Sequence, residues 1–219
     1  MKSLFKPITI NKLEVPNRIA MAPMTRMMSP DGIPGENVKD HYQRRAAGEV
    51  GLIITEGVEV SHPSSSGYPN VPGFQDKADE GWKKIIEVVQ AEGSKIFPQL
   101  WHVGAMRKEG MAPDPKVPGY TPSGLVNTNK QAAHAMTADE VEMLIECFVK
   151  DILKIKDLGF DGVELHGAHG YLIDNFFWEG TNQRDDTYGG EIDKRTKFAC
   201  EIIKRARKEI GRDFPIAIR

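Results

Sequence analysis

The chain has 219 residues, 40% of them hydrophobic and 27% charged, with a formal net charge of −2 at pH 7. That is ordinary composition for a soluble globular chain, enough for one large core, and the near balance of charge gives no case for nucleic acid or an anionic membrane as partner. No stretch approaches the roughly 20 apolar residues needed to span a bilayer, and Met1-Lys-Ser-Leu-Phe-Lys-Pro lacks the apolar run of a signal peptide. The expectation is a cytoplasmic chain folded as a single domain over 1–219.

Ile8-Thr-Ile10 and Leu13-Glu-Val15 flank Asn11-Lys12 and predict a small hairpin. Strands are predicted over Ile19–Pro23, Gly51–Ser61, Ile96–His102, Gly162–Ala168 and Ile216–Arg219. The strongest, around Leu52-Ile-Ile54 and Val163-Glu-Leu165, are nearly continuous in apolar residues, which suits strands of a parallel sheet buried on both faces. Between them lie helical patterns. Asp79–Glu92 places Trp82, Ile85, Ile86 and Val89 on one stripe before Gly93. Thr137–Leu158 opens with the capping box Thr137-Ala-Asp-Glu140 and closes at Gly159. Ile192–Ile210 repeats the plan with Phe198, Ile202 and Ala206, then Gly211. Cys147 and Cys200 fall inside these helices and read as structural thiols. Two scattered cysteines exclude a cysteine-only zinc or iron–sulfur site within the chain.

Strand–helix alternation of this kind means a doubly wound sheet or a (β/α)8 barrel. No Gly-x-Gly-x-x-Gly turn follows the first strand, which weighs against a dinucleotide-binding doubly wound fold. The distinctive residues instead follow the ends of successive strands, where barrel enzymes keep their chemistry. The expected class is therefore α/β, a TIM barrel with the hairpin as a lid on its bottom. A closed barrel has eight strands, of which only five are found here. An open parallel sheet exposes its edges, so either the natural protein is longer or a partner, a second copy or a complementing half-barrel, supplies the rest.

Ala22-Pro-Met-Thr25-Arg26 follows the first strand, Glu56-Gly57 ends the second, and Gln99-Leu-Trp101-His102 ends the third. His166-Gly-Ala-His169-Gly-Tyr171 follows the fourth and Arg219 the fifth. Thr25, Gln99 and Arg219 can donate hydrogen bonds, Gly57 lets a planar ring approach the backbone, and Tyr171 is a weak acid. Such a mouth suits a flat, electron-rich, hydrogen-bonding ring.

Four segments resemble the Old Yellow Enzyme family of FMN-dependent ene-reductases. They are Val15-Pro-Asn-Arg-Ile-Ala-Met-Ala-Pro-Met-Thr25-Arg26, Gln99-Leu-Trp-His102, Gly162-Val-Glu-Leu-His-Gly-Ala-His-Gly-Tyr-Leu172 and Asn182-Gln-Arg-Asp-Asp-Thr-Tyr-Gly-Gly190. They occur in the family's order and span nearly the whole chain. The resemblance implies FMN as cofactor, NADPH or NADH as hydride donor, and a small-molecule enone as substrate. It implies that Thr25 bonds the flavin near O4, that Pro23, Met24 and Gly57 contact the ring, and that Gln99 and Arg219 bind its pyrimidine edge. His166 and His169 resemble the pair that binds the substrate carbonyl, and Tyr171 the proton donor. Trp101 and Tyr68 are placed at the substrate pocket, though a loop tyrosine can equally serve packing.

Blander readings stand beside these. His-x-x-His is a metal-pair spacing, but no third ligand follows at sensible spacing, and no metal is expected. Either histidine alone can be a structural residue. His102 can simply pack under the Trp101 ring. His41, His62 and His134 read as surface or loop residues, and Trp82 and Trp178 as helix packing. Arg184 and Tyr188-Gly-Gly190 read as loop-shaping. The family commonly continues its third motif as Trp-His-x-Gly-Arg, whereas this chain has Val103-Gly-Ala105-Met-Arg107, and Phe176-Phe-Trp-Glu-Gly-Thr181 also departs from the commoner pattern. The family's FMN phosphate site belongs to later strands. A dienoyl-CoA reductase or amine dehydrogenase relative with an iron–sulfur domain beyond residue 219, or a non-catalytic half-barrel, are the alternatives.

Overall fold

The computed structural model describes residues 3–219; Met1 and Lys2, the first residues of the segment read above for a signal peptide, lie outside the described residues. The hairpin forms as expected. β1 (Ile8–Ile10) and β2 (Leu13–Val15) pair antiparallel, and Asn11 takes the left-handed φ of 55° that a tight turn needs. Asn11 donates to the Arg212 carbonyl at 3.1 Å and Lys12 pairs with Asp213 at 2.8 Å. Both partners lie in the turn that leads into the last strand, so the hairpin sits at the N-terminal end of the main sheet.

That sheet is built from β3 (Ala20–Met21), β4 (Leu52–Glu59) and β5 (Lys95–Trp101), then, beyond four short strands, from β10 (Val163–Leu165) and β11 (Ile216–Ile218). The short strands β6 (Tyr120–Thr121), β7 (Leu125–Asn127), β8 (Lys130–Gln131) and β9 (His134–Ala135) form two small separate sheets. In the main sheet every neighbouring pair is parallel and the spatial order β3-β4-β5-β10-β11 is the chain order. A doubly wound sheet reverses its order partway across. This one does not, so it is the run of consecutive strands that an α/β barrel contains.

Four of the five predicted strands are shorter than the sequence suggested, most of all Ile19–Pro23, which keeps only Ala20–Met21, and Gly162–Ala168, which keeps Val163–Leu165. The trimmed residues at the C-terminal ends peel out of the ladder to form the mouth.

The helices are α1 (Glu36–Ala47), α2 (Asp79–Ala91), α3 (Ala138–Leu158), α4 (Leu172–Phe177), α5 (Ile192–Arg195) and α6 (Lys197–Ile210). The capping box of α3 is complete: Thr137 Oγ1 accepts from the Glu140 amide at 3.2 Å, Glu140 Oε2 accepts from the Thr137 amide at 2.8 Å, and Gly159 closes the helix at φ 99°. The predicted helix over Ile192–Ile210 divides at Thr196. Helix α1 escaped prediction because charged residues dominate it, yet Val38, Tyr42 and Ala46 fall at helical spacing and are all buried.

Helices and sheet enclose one core in which Ile53, Trp82, Ile85, Ile96, Leu144, Ile152, Val163, Phe198 and Ile202 are fully buried. Trp82 serves that core, donating its indole N–H to the Gly73 carbonyl at 2.9 Å. Trp178 does not, being half exposed at the end of α4. Cys147 is half-buried in α3, but Cys200 lies exposed on α6, so packing does not explain that thiol. Among the described residues no helix is long and apolar enough to cross a membrane.

The displaced arginine of the third motif has a structural job. Arg107 is buried, and its guanidinium donates to the backbone carbonyls of Ser66, Met111, Ala112, Asp114 and Val117. It ties the excursion between β5 and β6 to the loop after β4. Arg107→Met leaves these acceptors without a donor and should lower stability by about 3 kcal/mol. Urea unfolding measures this, with earlier proteolytic cleavage between residues 107 and 117 as a second readout.

Candidate active site

The loop after β10 starts as an extension of the ladder. His166 N donates to the Leu100 carbonyl at 3.0 Å, Gly167 N to the Arg219 carbonyl at 2.7 Å, and Arg219 N to the Leu165 carbonyl at 3.0 Å. The backbones of His166 and Arg219 are thereby fixed relative to one another. The chain then turns sharply, with His169 at φ 63° and Gly170 at φ 74°. A left-handed histidine is uncommon and costs local strain. The start of α4 holds it. Asp174 Oδ2 accepts from Gly170 N at 2.7 Å, and Asn175 donates to the Gly170 carbonyl at 3.0 Å while accepting from Ala105 N at 3.2 Å.

This turn stacks three rings into one corner. His166 meets His169 edge-on at 5.1 Å and Tyr171 at 4.9 Å, and Tyr171 meets the edge of Trp101 at 5.1 Å. Tyr68 stacks on Trp101 at 5.4 Å and lies near enough to Tyr171 to help raise its phenol. In front of the corner is a cavity of about 150 Å³ lined by Pro23, Thr25, Gln99, Trp101, His166, His169, Tyr171 and Arg219. Residues from the ends of β3, β5, β10 and β11 thus meet at one point.

Three expected site residues are not in that lining. Met24 points out, 59% exposed. Tyr68 lies behind Trp101. Gly57 has a different reason for being glycine: a Cβ there would meet Trp101 Cε3 at 2.4 Å. A planar ring, this indole, therefore lies directly against it.

Burial, with the like charges of His169 and Arg219 adding to it, lowers the His166 pKa to about 4, so the ring is neutral at pH 7. Its Nδ1 and the Trp101 Nε1 are buried without partners. Burial, with Tyr68 beside it, raises the Tyr171 phenol above its ordinary range and keeps it protonated.

Several site residues were not singled out in the sequence. Gln99 Nε2 donates to Glu164 Oε1 at 2.7 Å. Burial raises the Glu164 carboxyl, against the pull of Gln99 and Arg219. The signal was a lone acid inside the apolar strand Val163-Glu-Leu165. Behind Thr25, the buried Glu56 accepts from Arg26 N at 2.9 Å, and its own amide donates to the Tyr42 hydroxyl at 2.8 Å. The first bond pins the loop after β3 to β4, and the second pins α1 to β4. His102 does not pack under the Trp101 ring. It lies buried with Nε2 3.0 Å from Ser64 Oγ, and its Nδ1 accepts from Gly104 N at 3.1 Å, which fixes the turn after β5.

His41, expected at the surface, is buried on α1. His62 is half-buried, with Nδ1 2.7 Å from Ser64 Oγ. His134 sits partly exposed on β9 and pairs with Glu140 at 2.8 Å. Arg184 and Tyr188 do shape their loop: Arg184 holds Asp186 and the Pro122 carbonyl, and the Tyr188 hydroxyl donates to Glu142. Among the described residues no group of three or more His, Cys, Asp or Glu is placed to hold a metal.

Residues 3–219 match the NADH:flavin oxidoreductase / NADH oxidase family. The chain belongs to that family. Among its relatives, an NADH oxidase of Thermoanaerobacter brockii is 38% identical over 221 residues, covering 99% of this chain and 34% of that protein. The 12-oxophytodienoate reductase 7 of Oryza sativa subsp. japonica is 32% identical over 223 residues, covering 96% of this chain and 56% of that protein. The solved structure of morphinone reductase superposes with a TM-score of 0.91 at 34% identity, over 99% of this chain and 61% of that one. The same enzyme in complex with tetrahydroNAD gives 0.89. The chain thus spans between about a third and three fifths of the length of these relatives. The consecutive parallel strands are accordingly the first five of the family's TIM barrel.

Two expectations follow from the site geometry. Gly57→Ala forces the Trp101 indole away from β4 and should cost about 1–3 kcal/mol, seen as a lower thermal midpoint with altered tryptophan fluorescence. His166 titrates in the folded state well below its value in the unfolded chain. The unfolded state therefore takes up the proton first as pH falls from about 6.5 towards 4, and the stability that neutral His166 contributes is lost over that window. The stability difference between the native chain and His166→Gln, measured by urea unfolding, should shrink in favour of the variant as pH drops through it. A pH-independent difference contradicts this.

Proposed function

We propose that the chain carries the substrate side of an FMN site that uses NADPH or NADH to reduce the C=C bond of an α,β-unsaturated carbonyl compound. One observation supports this above others: a neutral, unpartnered histidine, a second histidine and a protonated tyrosine share one corner of the cavity that also receives Thr25, Gln99 and Arg219. The residues suit a flavin. Thr25, Gln99 and Arg219 would hold its hydrogen-bonding edge, and the cation of Arg219 would favour negative charge on the pyrimidine side. When bound and reduced by the nicotinamide, the flavin supplies hydride to the substrate β-carbon.

His166 and His169 donate N–H bonds to the substrate carbonyl oxygen and stabilise the charge that develops there, which is commonly the largest electrostatic contribution. His166 acts as a neutral imidazole, so its hold persists at any pH well above 4. Tyr171 then gives its phenolic proton to the α-carbon as general acid. Trp101 fixes the angle of that ring through its edge contact.

We place the protein in the cytoplasm and treat residues 1–219 as one structural unit of the barrel, whose unpaired edge strands β3 and β11 would accept further strands from the same or a second polypeptide. The NADH oxidase relative favours a second reading, in which electrons from NADH pass to a different acceptor.

Stopped-flow on the flavin-loaded chain separates the two. Tyr171→Phe should slow reoxidation by cyclohexenone by about 10²–10⁴-fold, the usual share of a general acid, and leave flavin reduction by NADPH unchanged. Equal enone rates in both proteins, or NADH turnover unaffected by enone, count against the ene-reductase reading.

A further inference from the structure

Behind the tyrosine corner lies a second cavity, of about 370 Å³, lined by Tyr68, whose ring stacks on the Trp101 that lines the first. Glu59, Ser66, Gln75, Lys77 and Asp31 are among its other walls. Glu59 is set at the end of β4 between Val58 and Val60, which are fully buried. Ser66 lines the same cavity, its hydroxyl donating to the Tyr68 carbonyl at 3.2 Å. Toward the first cavity, Tyr68 and Tyr171 pack together around Trp101, near enough for Tyr68 to help raise the Tyr171 phenol. The function proposed above leaves Glu59 and this cavity without a task.

We propose that the cavity behind Tyr68 is the proton supply for Tyr171, with Glu59 as its acid and Tyr68 as the link. This rests on the reading of Tyr171 as proton donor. When Tyr171 protonates the α-carbon, its O–H bond breaks and a C–H bond forms, leaving a phenolate in a poorly solvated corner. The neighbouring Tyr68 hydroxyl hydrogen-bonds that phenolate as it forms and passes its proton to it. Tyr68 is restored by the proton of Glu59 through water in the rear cavity, and Glu59 by bulk solvent, to which that cavity opens. No electrons move and the protons balance. Tyr68 and Glu59 are positioning residues here, since both act on substrate only through Tyr171.

The electrostatics suit a carboxylic acid at this position. Burial pushes Glu59 up to about 7, with the Ser66 hydroxyl and the Arg107 guanidinium pulling weakly the other way. Arg107 is already committed to backbone carbonyls. Asp31 and Lys77, from the loops after β3 and β4, face the same cavity with opposite charges. Glu59 is thus an acid that can lose and regain a proton near neutral pH, as a reservoir requires.

The test uses the full chain loaded with FMN, with stopped-flow of both half-reactions across pH 5–9. Glu59→Gln keeps the shape and cannot act as an acid. It should slow enone-driven reoxidation about tenfold near pH 7, less than removing the general acid itself. It should also flatten the limb of the pH profile near 7 and spare flavin reduction, and Glu59→Asp should restore part of the rate. If the two residues form one path, the Tyr68→Phe, Glu59→Gln double variant should be no slower than Tyr68→Phe alone. An independent readout needs no cofactor: infrared titration should show a protonated carboxylic acid that ionises near pH 7 and is missing in Glu59→Gln.

An unchanged rate and pH profile in Glu59→Gln overturns the proposal, as do effects that multiply in the double variant. Should Glu59→Gln fold poorly, Tyr68→Phe carries the same demand and must reproduce both the loss and the flattened profile. Tyr171→Phe in the same series tells the two failures apart. If it leaves enone reduction intact, the functional reading falls and the proton supply with it. If it slows reduction while Glu59→Gln and Tyr68→Phe do not, only the proton supply falls.

Discussion

The ladder of five parallel strands decides where the chemistry can go. Parallel pairing sends every C-terminal end to the same edge, so Thr25, Gln99, His166 and Arg219 meet although up to 194 positions separate them in the chain. The last rungs reach into the site itself: Gly167 and Arg219 exchange bonds with their neighbours across β10 and β11. A shift of register there would move Arg219 away from His166 and flip its side chain to the other face.

On that frame the site is tuned by desolvation more than by close ion pairs. Burial keeps His166 neutral, holds Tyr171 protonated, and raises Glu164 and Glu59. The strained turn at His169 persists because Asp174 and Asn175 satisfy the backbone around it. Supporting polar groups recur one layer back, in Glu56 with Tyr42 and in His102 with Ser64. The first ties α1 to β4, and the second fixes the turn after β5, which the sheet alone would leave free.

The strands were legible because parallel strands buried on both faces read as apolar runs, and α2 and α3 because their stripes and caps are explicit. Helix α1 was missed because Lys39, Asp40, Arg44 and Arg45 mask a correct apolar spacing. Most of the cavity lining was legible too, since residues such as Gln99 and His166 directly follow apolar runs. Gly57 was marked as a glycine that a planar ring approaches; that the Trp101 indole lies against it was not legible, since Trp101 is on the next strand and only the sheet brings them together. Arg107 looked like a displaced motif residue, because a buried guanidinium gathering five carbonyls leaves no sequence pattern.

The sequence by itself determined the α/β alternation, the family resemblance and the chemical groups at each strand end, because these depend on local periodicity and on motifs contiguous in the chain. Tertiary structure alone decided which groups are neutral and which rings touch. It also set Glu59 behind Tyr68 and Glu164 beside Gln99. Desolvation and side-chain contact depend on what the other strands bring alongside, and no local stretch of sequence contains that.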